Sequence, residues 1–355
     1  MACVRATSWR WSVLSAVDDR HRRQVAFGPF GSEGQAALAA ATVAVVGCGA
    51  TGGAAAELLT RAGAGRLILI DRDIVALDNL HRQVLFDEED AREGRPKAVA
   101  AGEHLRRVSS AIRLTVEATH LDASNVDRIL DNVSIVLDGT DNISTRFLLN
   151  DWCFETGVPW VYVGAVGGEG MLLPIVPPRG PCLRCFLPEP PPPGSLATCD
   201  TAGVLGPIPT AMGAMAAIEA MKILAGASQP EARKLRTIDF WDWRVRDIAL
   251  PPRADCPACA LGERDFLHDE RSTRVIELCG RDTHQILPPP GPRLDLEALA
   301  DRLDAESDHL LVNRLFLRLD LGAERLTVFA DGRALIEGAG NADRARAFYD
   351  RYVGT

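Results

Sequence analysis

From Thr42 to Val166, short apolar runs alternate with longer stretches that carry apolar residues at helical spacing. The short runs are Thr42–Gly47 (TVAVVG), Arg66–Asp71 (RLILID), Arg113–Thr119, Ser134–Leu137 and Trp160–Val166. They are apolar and often β-branched, as parallel strands covered on both faces are. Between them, Gly52–Ala62, Pro96–Arg107, Ser124–Leu130 and Asn142–Thr156 read as helices. Pro96 suits a first helical position, and Gly63 and Gly157 suit helix ends. This alternation predicts a doubly wound α/β sheet whose ligands lie at the carboxyl ends of the strands.

Beyond Val166 the texture changes. Glu169–Val176 reads as a strand, and Pro177–Gly194 as an extended, exposed loop with four prolines in a row at Pro190–Pro193. Pro207–Ala225 is apolar almost all round at helical spacing, which predicts burial, a subunit interface being one place for it. Arg236–Arg246 reads as one strand. After a polar hinge near Gly262 comes a last module: strand Val275–Cys279, a Pro/Gly loop, helix Asp295–Asp304, strands Leu311–Leu319 and Leu326–Ala330, and helix Ala342–Tyr352. The expected units are an arm over 1–19, a main domain over 20–264 and an accessory module over 265–355.

The 355 residues are 25 % charged and 47 % hydrophobic, so global disorder is excluded, and the net charge of −9 disfavours a nucleic-acid coat. No apolar run approaches the ~20 residues of a bilayer span, and the N-terminus lacks a signal-peptide core. A cytoplasmic protein without membrane partners is expected.

Gly47-Cys48-Gly49-Ala50-Thr51-Gly52 is a G-x-G-x-x-G loop between a strand and a helix. Its glycines let the backbone approach a phosphate, and the helix start offers free N–H groups to that anion. Asp71, nineteen residues beyond Gly52, stands where a carboxylate meets a ribose hydroxyl. The loop alone does not separate NAD from ATP, and a turn without ligand is the bland alternative. The following cluster does separate them. Asn79, Arg82 and Gln83, with Lys97 opening the next helix, suit a triphosphate, whose charge needs fixed cations. Asp138-Gly139-Thr140-Asp141-Asn142 ends the fourth strand at the same sheet edge, and an Asp there can hold Mg²⁺ between phosphates.

Nine cysteines occur. Cys182 and Cys185 form one C-x-x-C pair, Cys256 and Cys259 another; together they have the spacing of a four-thiolate structural Zn²⁺ site. Two redox dithiols are the competing reading. Cys199, in the polar run before the apolar helix, is a candidate nucleophile. Cys3, Cys48, Cys153 and Cys279 read as terminal or packing residues.

In order along the chain, RHRRQV (from Arg20), GCGATG, LILIDRDIV, LDNLHRQ, GRPKA, LDGTDN, CLRC, TCDTAGV and CPAC resemble the ThiF/MoeB family, bacterial relatives of ubiquitin-activating enzymes. The resemblance runs from about Arg20 to Leu261. It implies a Rossmann-like, mostly parallel sheet with a four-cysteine zinc site, and the module after it is then a small α+β appendage. It also implies a homodimer that uses MgATP to adenylate the C-terminal glycine of a small ubiquitin-like sulfur carrier ending in Gly-Gly, with a sulfurtransferase or cysteine desulfurase supplying sulfur. By position, Asp71 holds the ribose; Asn79, Arg82, Gln83 and Lys97 hold phosphates; Asp141 binds Mg²⁺. Gly47, Gly49, Ala50, Gly52, Asp73 and Asn142 complete the nucleotide site. Arg23 is the arginine that reaches into the partner subunit's site, and Cys199 the cysteine that in some members bonds the carrier. The departures are Ala50-Thr51, where the family has Gly and an aliphatic residue, and the module in place of a rhodanese-like domain. The last residues, Val353-Gly354-Thr355, are not Gly-Gly, so a separate carrier is expected. An NAD-dependent oxidoreductase and a non-catalytic scaffold of the same fold are the alternatives.

Overall fold

The computed structural model describes residues 19–190, 203–227, 234–268, 274–278, 282–288, 293–303 and 309–353. Two sheets organise them. The first has eight strands in the order β3-β2-β1-β4-β5-β6-β7-β8. Strands β1 (Thr42–Val46), β2 (Arg66–Ile70), β3 (Arg113–Glu117), β4 (Ile135–Asp138) and β5 (Trp160–Val166) are parallel. Strands β6 (Glu169–Ile175), β7 (Leu235–Asp239) and β8 (Arg244–Ile248) continue the sheet antiparallel. Alternate residues of β1 point to opposite faces. Val43 and Val45 join Leu59, Leu105 and Met212 under the helices Ala50–Ala62, Lys97–Val108 and Pro207–Leu224. Ala44 and Val46 join Phe147 and Trp152 of the helix Ile143–Thr156. Both layers are apolar, which is why these strands read as continuous apolar runs. The order reverses between β1 and β4, so a crevice opens at their carboxyl ends.

The long apolar helix is used by its own chain. Gly213 lies against Ala50–Ala62 so closely that a Cβ would stand 2.4 Å from the Thr51 carbonyl oxygen. Met212, Ala216 and Ala220 are buried in the first layer, and Ile218 is exposed. The expected strand Arg236–Arg246 is two strands: Asp239 accepts hydrogen bonds from the Trp241 and Asp242 N–H groups and turns the chain into a hairpin. Asp239 and Asp242 within the run marked that turn.

The second sheet is antiparallel throughout, in the order β11-β12-β13-β14-β10-β9. Its strands are β9 (Arg274–Leu278), β10 (Thr283–Leu287), β11 (His309–Val312), β12 (Phe316–Leu321), β13 (Glu324–Phe329) and β14 (Ala334–Glu337). The helices Leu296–Leu303 and Ala342–Tyr352 cover one face over Leu317, Leu319, Val328 and Ile336. The other face carries Phe316, Phe329 and Leu335 onto Ile74 of the first sheet's edge. The expected strand Leu311–Leu319 is broken at Asn313, whose side-chain oxygen accepts from the Leu315 and Phe316 N–H groups. Strands β10 and β14 were not legible. The predicted positions Cys279 and Asp304 lie outside the described residues.

Among the described residues, no helix is long and apolar enough to cross a membrane.

Candidate active site

The glycine loop is an interlock. Gly47 has φ +89°, and a Cβ there would stand 2.6 Å from the Gly139 carbonyl oxygen. A Cβ on Gly52 would stand 1.9 Å from the Gly47 carbonyl oxygen. No other residue fits at either position, so the loops after β1 and β4 touch backbone to backbone. Gly49 precedes the helix at Ala50 and has no side chain to cap it, leaving the first N–H groups of the Ala50 turn facing the crevice.

Asp71, at the end of β2, is buried and bridges two backbones. Its Oδ2 accepts from the Cys48 N–H at 2.6 Å and its Oδ1 from the Asp73 N–H at 2.8 Å. Burial raises its pKa, with nearby Lys97 opposing and Asp73 reinforcing that shift. Asp73 faces Lys97: Nζ lies 3.2 Å from Asp73 Oδ2, and the Lys97 N–H donates to the Asp73 carbonyl at 2.9 Å. Burial alone would raise the Asp73 pKa, but Lys97 and Arg72 outweigh it and hold the carboxyl down at about 2. The buried ammonium of Lys97 is disfavoured by desolvation, yet Asp73, Asp71 and Asp141 together raise its pKa.

Asn79 and Gln83 come from the turns after β2, both buried. Asn79 Oδ1 accepts from the Ala76 N–H at 3.2 Å, and Gln83 lies beside Gly49 with its Oε1 buried and without a hydrogen-bond partner. Arg82 donates to the Asp78 carbonyl at 2.9 Å. Asp141 is exposed at the rim, while Asn142 caps its helix by accepting from the Thr145 N–H at 2.9 Å. Gly206, just before the apolar helix, packs against the His81 carbonyl. The glycine loop, Asp71, Asp73, Asn79, Arg82, Gln83, Lys97, Asp141 and Asn142 therefore gather at one sheet edge.

One expected site residue stands apart. Arg23 is exposed in a one-turn helix, Arg22–Val25. Its neighbour Gln24 donates to the Ala62 carbonyl at 2.9 Å, at the far end of the Ala50 helix. Thirteen residues of helix separate that point from the glycine loop, about 20 Å. Cys199 lies outside the described residues, as do Cys3 and Cys279. Cys48 and Cys153 are buried, and burial raises both thiol pKa values well above the usual range, as suits packing residues.

One residue escaped the sequence reading. Arg146, buried in the helix Ile143–Thr156, donates from Nε to Asp138 Oδ2 at 2.9 Å and from Nη2 to the carbonyls of Thr140 and Val163. Its guanidinium lies 4.8 Å from the Tyr162 ring centre. It fixes the loop that presents Asp141. A charged side chain four residues after the helix-capping Asn142, amid Phe and Leu, was the available signal.

The four C-x-x-C sulfurs converge. Cys182 and Cys256 are 3.5 Å apart, Cys185 and Cys259 3.5 Å, Cys182 and Cys185 3.9 Å, and all four lie within 4.8 Å of one another. Four thiolates at ~2.3 Å around a tetrahedral Zn²⁺ have edges of about 3.8 Å, so the cluster fits that ion. None of the four is in a disulfide. The Cys182 turn is anchored where the Leu183 N–H donates to buried Asn150 Oδ1 at 2.9 Å.

Comparison with known proteins agrees with this geometry. The ThiF family profile matches residues 21–258. The sulfur carrier protein ThiS adenylyltransferase of Bacillus subtilis is 36 % identical over 338 residues, 94 % of this chain and 99 % of that protein. The SAMP-activating enzyme E1 of Haloferax volcanii is 36 % identical over 71 % of this chain and 92 % of its own length. The first alignment takes in most of the second sheet; the other leaves about as many residues as the N-terminal segment and the module contain. Among solved structures, E. coli MccB with ATP matches with a TM-score of 0.59 at 22 % identity, over 68 % of this chain and 75 % of that one, a likeness of fold. With a profile match over most of its length and a relative aligned almost end to end, the chain belongs to the ThiF family.

Proposed function

We propose that this chain adenylates the C-terminal carboxylate of a small ubiquitin-like sulfur carrier ending in Gly-Gly. The observation that carries the reading is the gathering of Lys97, Arg82, Asn79 and Gln83 around an uncapped helix start, with Asp141 at the rim. A carboxylate oxygen attacks the α-phosphorus of ATP. The bond from that phosphorus to its bridging oxygen breaks, and pyrophosphate leaves with both electrons of that bond. The carboxylate is already ionised, so no general base is needed. Two anions must be brought together, and the fixed N–H groups and cations offset their repulsion. Asp71 and the glycine loop would orient the ribose and phosphates. Asp141 would hold Mg²⁺, which supplies positive charge between phosphates. The four cysteines would hold a structural Zn²⁺, binding the loop after β6 to the segment after β8. Sulfur would then reach the adenylate from a sulfurtransferase or cysteine desulfurase. The oxidoreductase and scaffold alternatives are not favoured, since the named relatives are adenylyltransferases or activating enzymes.

Pyrophosphate–ATP exchange tests the reading. It should require Mg²⁺ and a Gly-Gly-ending carrier, and Asp141→Ala should slow it about a hundredfold or more. Full exchange in that variant removes Asp141 from the site, and no exchange by the unaltered enzyme with such carriers overturns the reading. For zinc, one ion per chain is expected by elemental analysis. Cys256→Ser should unfold the protein at a much lower temperature, because structural zinc contributes about 10 kcal/mol or more to folding. A metal-free protein of equal stability would reverse that assignment.

A further inference from the structure

Arg333 crosses from the second sheet to the first. It lies in the turn from β13 to β14 and is 3 % exposed. The turn holds it from behind. Its N–H donates to Asp331 Oδ1 at 3.2 Å, its Nε to Asp331 Oδ2 at 3.1 Å, and the Tyr349 hydroxyl fixes the Gly332 carbonyl at 2.6 Å. The guanidinium lies over the Phe329 ring, 3.8 Å from its centre. Its two terminal nitrogens cross to the first sheet, Nη1 donating to the Arg72 carbonyl and Nη2 to the Ala118 carbonyl at 2.5 Å.

The Arg72 carbonyl belongs to the peptide unit that joins Arg72 to Asp73. The N–H of that same unit donates to Asp71 Oδ1. The unit is thus held at both ends, by Arg333 on its oxygen and Asp71 on its nitrogen. A cation on the oxygen polarises the amide and strengthens its N–H as a donor. From Asp71 the chain of hydrogen bonds runs on to Cys48 in the glycine loop, and from Asp73 to Lys97. Burying a guanidinium is costly, and an apolar side chain would join two sheets with less desolvation. Where its donors point is therefore informative. They end on the two backbone carbonyls at the carboxyl ends of β2 and β3.

We infer that Arg333 is a positioning residue for the nucleotide site: the second sheet reaches across and sets the peptide unit between Asp71 and Asp73, and through it the Asp73–Lys97 pair. The inference rests on the ATP reading above. The second sheet is then a working wall of the site in this chain, and the site's floor depends on its staying docked.

The test is calorimetric titration of the full chain with MgATP, without carrier. Arg333→Ala should raise the Kd about tenfold at unchanged stoichiometry. Arg333→Lys, which keeps the charge and one of the two carbonyl contacts, should fall between. Millimolar guanidinium should lower the Kd of the alanine variant again. Arg344→Ala, which removes an exposed pair with Glu324 in the same module, is the control and should match the unaltered chain. A purely architectural role lowers the stoichiometry or the melting temperature and leaves the Kd of the folded fraction alone. That result, or a Kd within twofold in Arg333→Ala, overturns the inference. Should Arg333→Ala not fold, the same criterion applies to Arg333→Lys. If the unaltered chain binds no MgATP, the functional reading fails and the inference with it; if it binds and the variants match it, only the inference fails.

Discussion

Two acid–base pairs stand at the carboxyl edge of the same sheet and are built in opposite ways. Asp138–Arg146, at the end of β4, is closed. Asp138 is 1 % exposed, its second oxygen accepts from the Thr140 N–H and hydroxyl at 2.9 Å, and Arg146 ends on two carbonyls above an aromatic ring. Asp73–Lys97, beyond the end of β2, is open. Its two members share one hydrogen bond of 3.2 Å, Asp73 Oδ1 has Arg72 Nε at 3.6 Å but no hydrogen-bond partner, and the buried Gln83 Oε1 has none either. A pair whose carboxylate oxygens are both bonded and whose guanidinium ends on the backbone holds shape. A pair with spare capacity beside an uncapped helix start can exchange its partners for a ligand's. Charge at a strand end thus does not by itself mark a site; the unspent hydrogen-bonding capacity does.

The contrast breaks if the two pairs respond alike to truncation. Arg146→Ala leaves a buried carboxylate unpaired, which costs about 3–5 kcal/mol and should lower the melting temperature by roughly 10 °C. Lys97→Ala should shift melting far less and slow pyrophosphate exchange about a hundredfold. Calorimetric melting and exchange rates on both variants decide it. Equal melting losses with equal activity losses would make both pairs scaffold.

The same contrast explains how far the sequence could be read. The parallel strands were legible because both their faces meet helices, so every position is apolar and the run stands out. The glycine loop, Asp71 and Lys97 were legible because their spacing follows from one β-α-β turn. The four cysteines were legible because ligand spacing is local even when the pairs are distant. Arg146 was not, since its partners on β4 and β5 come together only in the folded sheet. Nor was Arg333, whose acceptors are backbone carbonyls and leave no trace in side-chain type. In the second sheet, β10 opens with buried Thr283, His284 and Gln285 before its two apolar residues, and β14 is four residues long. Neither shows the alternation that marks a half-covered strand.

The open pair lacks a cation that its own chain could have been expected to supply. Arg23 stands next to Gln24, which touches the far end of the Ala50 helix, about 20 Å of helix from the glycine loop. If it serves the site, it serves that of a partner subunit. Mixed Arg23→Ala and Asp141→Ala chains should then recover roughly a quarter of the exchange activity on random pairing, because half of the dimers are mixed and each has one intact site. No recovery, with mixed dimers shown to form, removes Arg23 from the reaction.

The smallest effect is the pH dependence of the open pair itself. Asp73 titrates at about 2 in the folded chain against 3.8 as an ordinary carboxyl. A carboxyl whose folded pKa is depressed stabilises the fold above its unfolded value and loses that contribution as pH falls through the folded one. The Asp73–Lys97 contribution should therefore be level across about pH 5–8 and fade between about pH 4 and 2. Partial exposure of Asp73 keeps it modest. The measurement is the melting difference between the unaltered chain and Asp73→Asn, which cancels the other acids. That difference should shrink toward zero on acidification. If it is undiminished at about pH 2, the ion pair with Lys97 is not what Asp73 contributes.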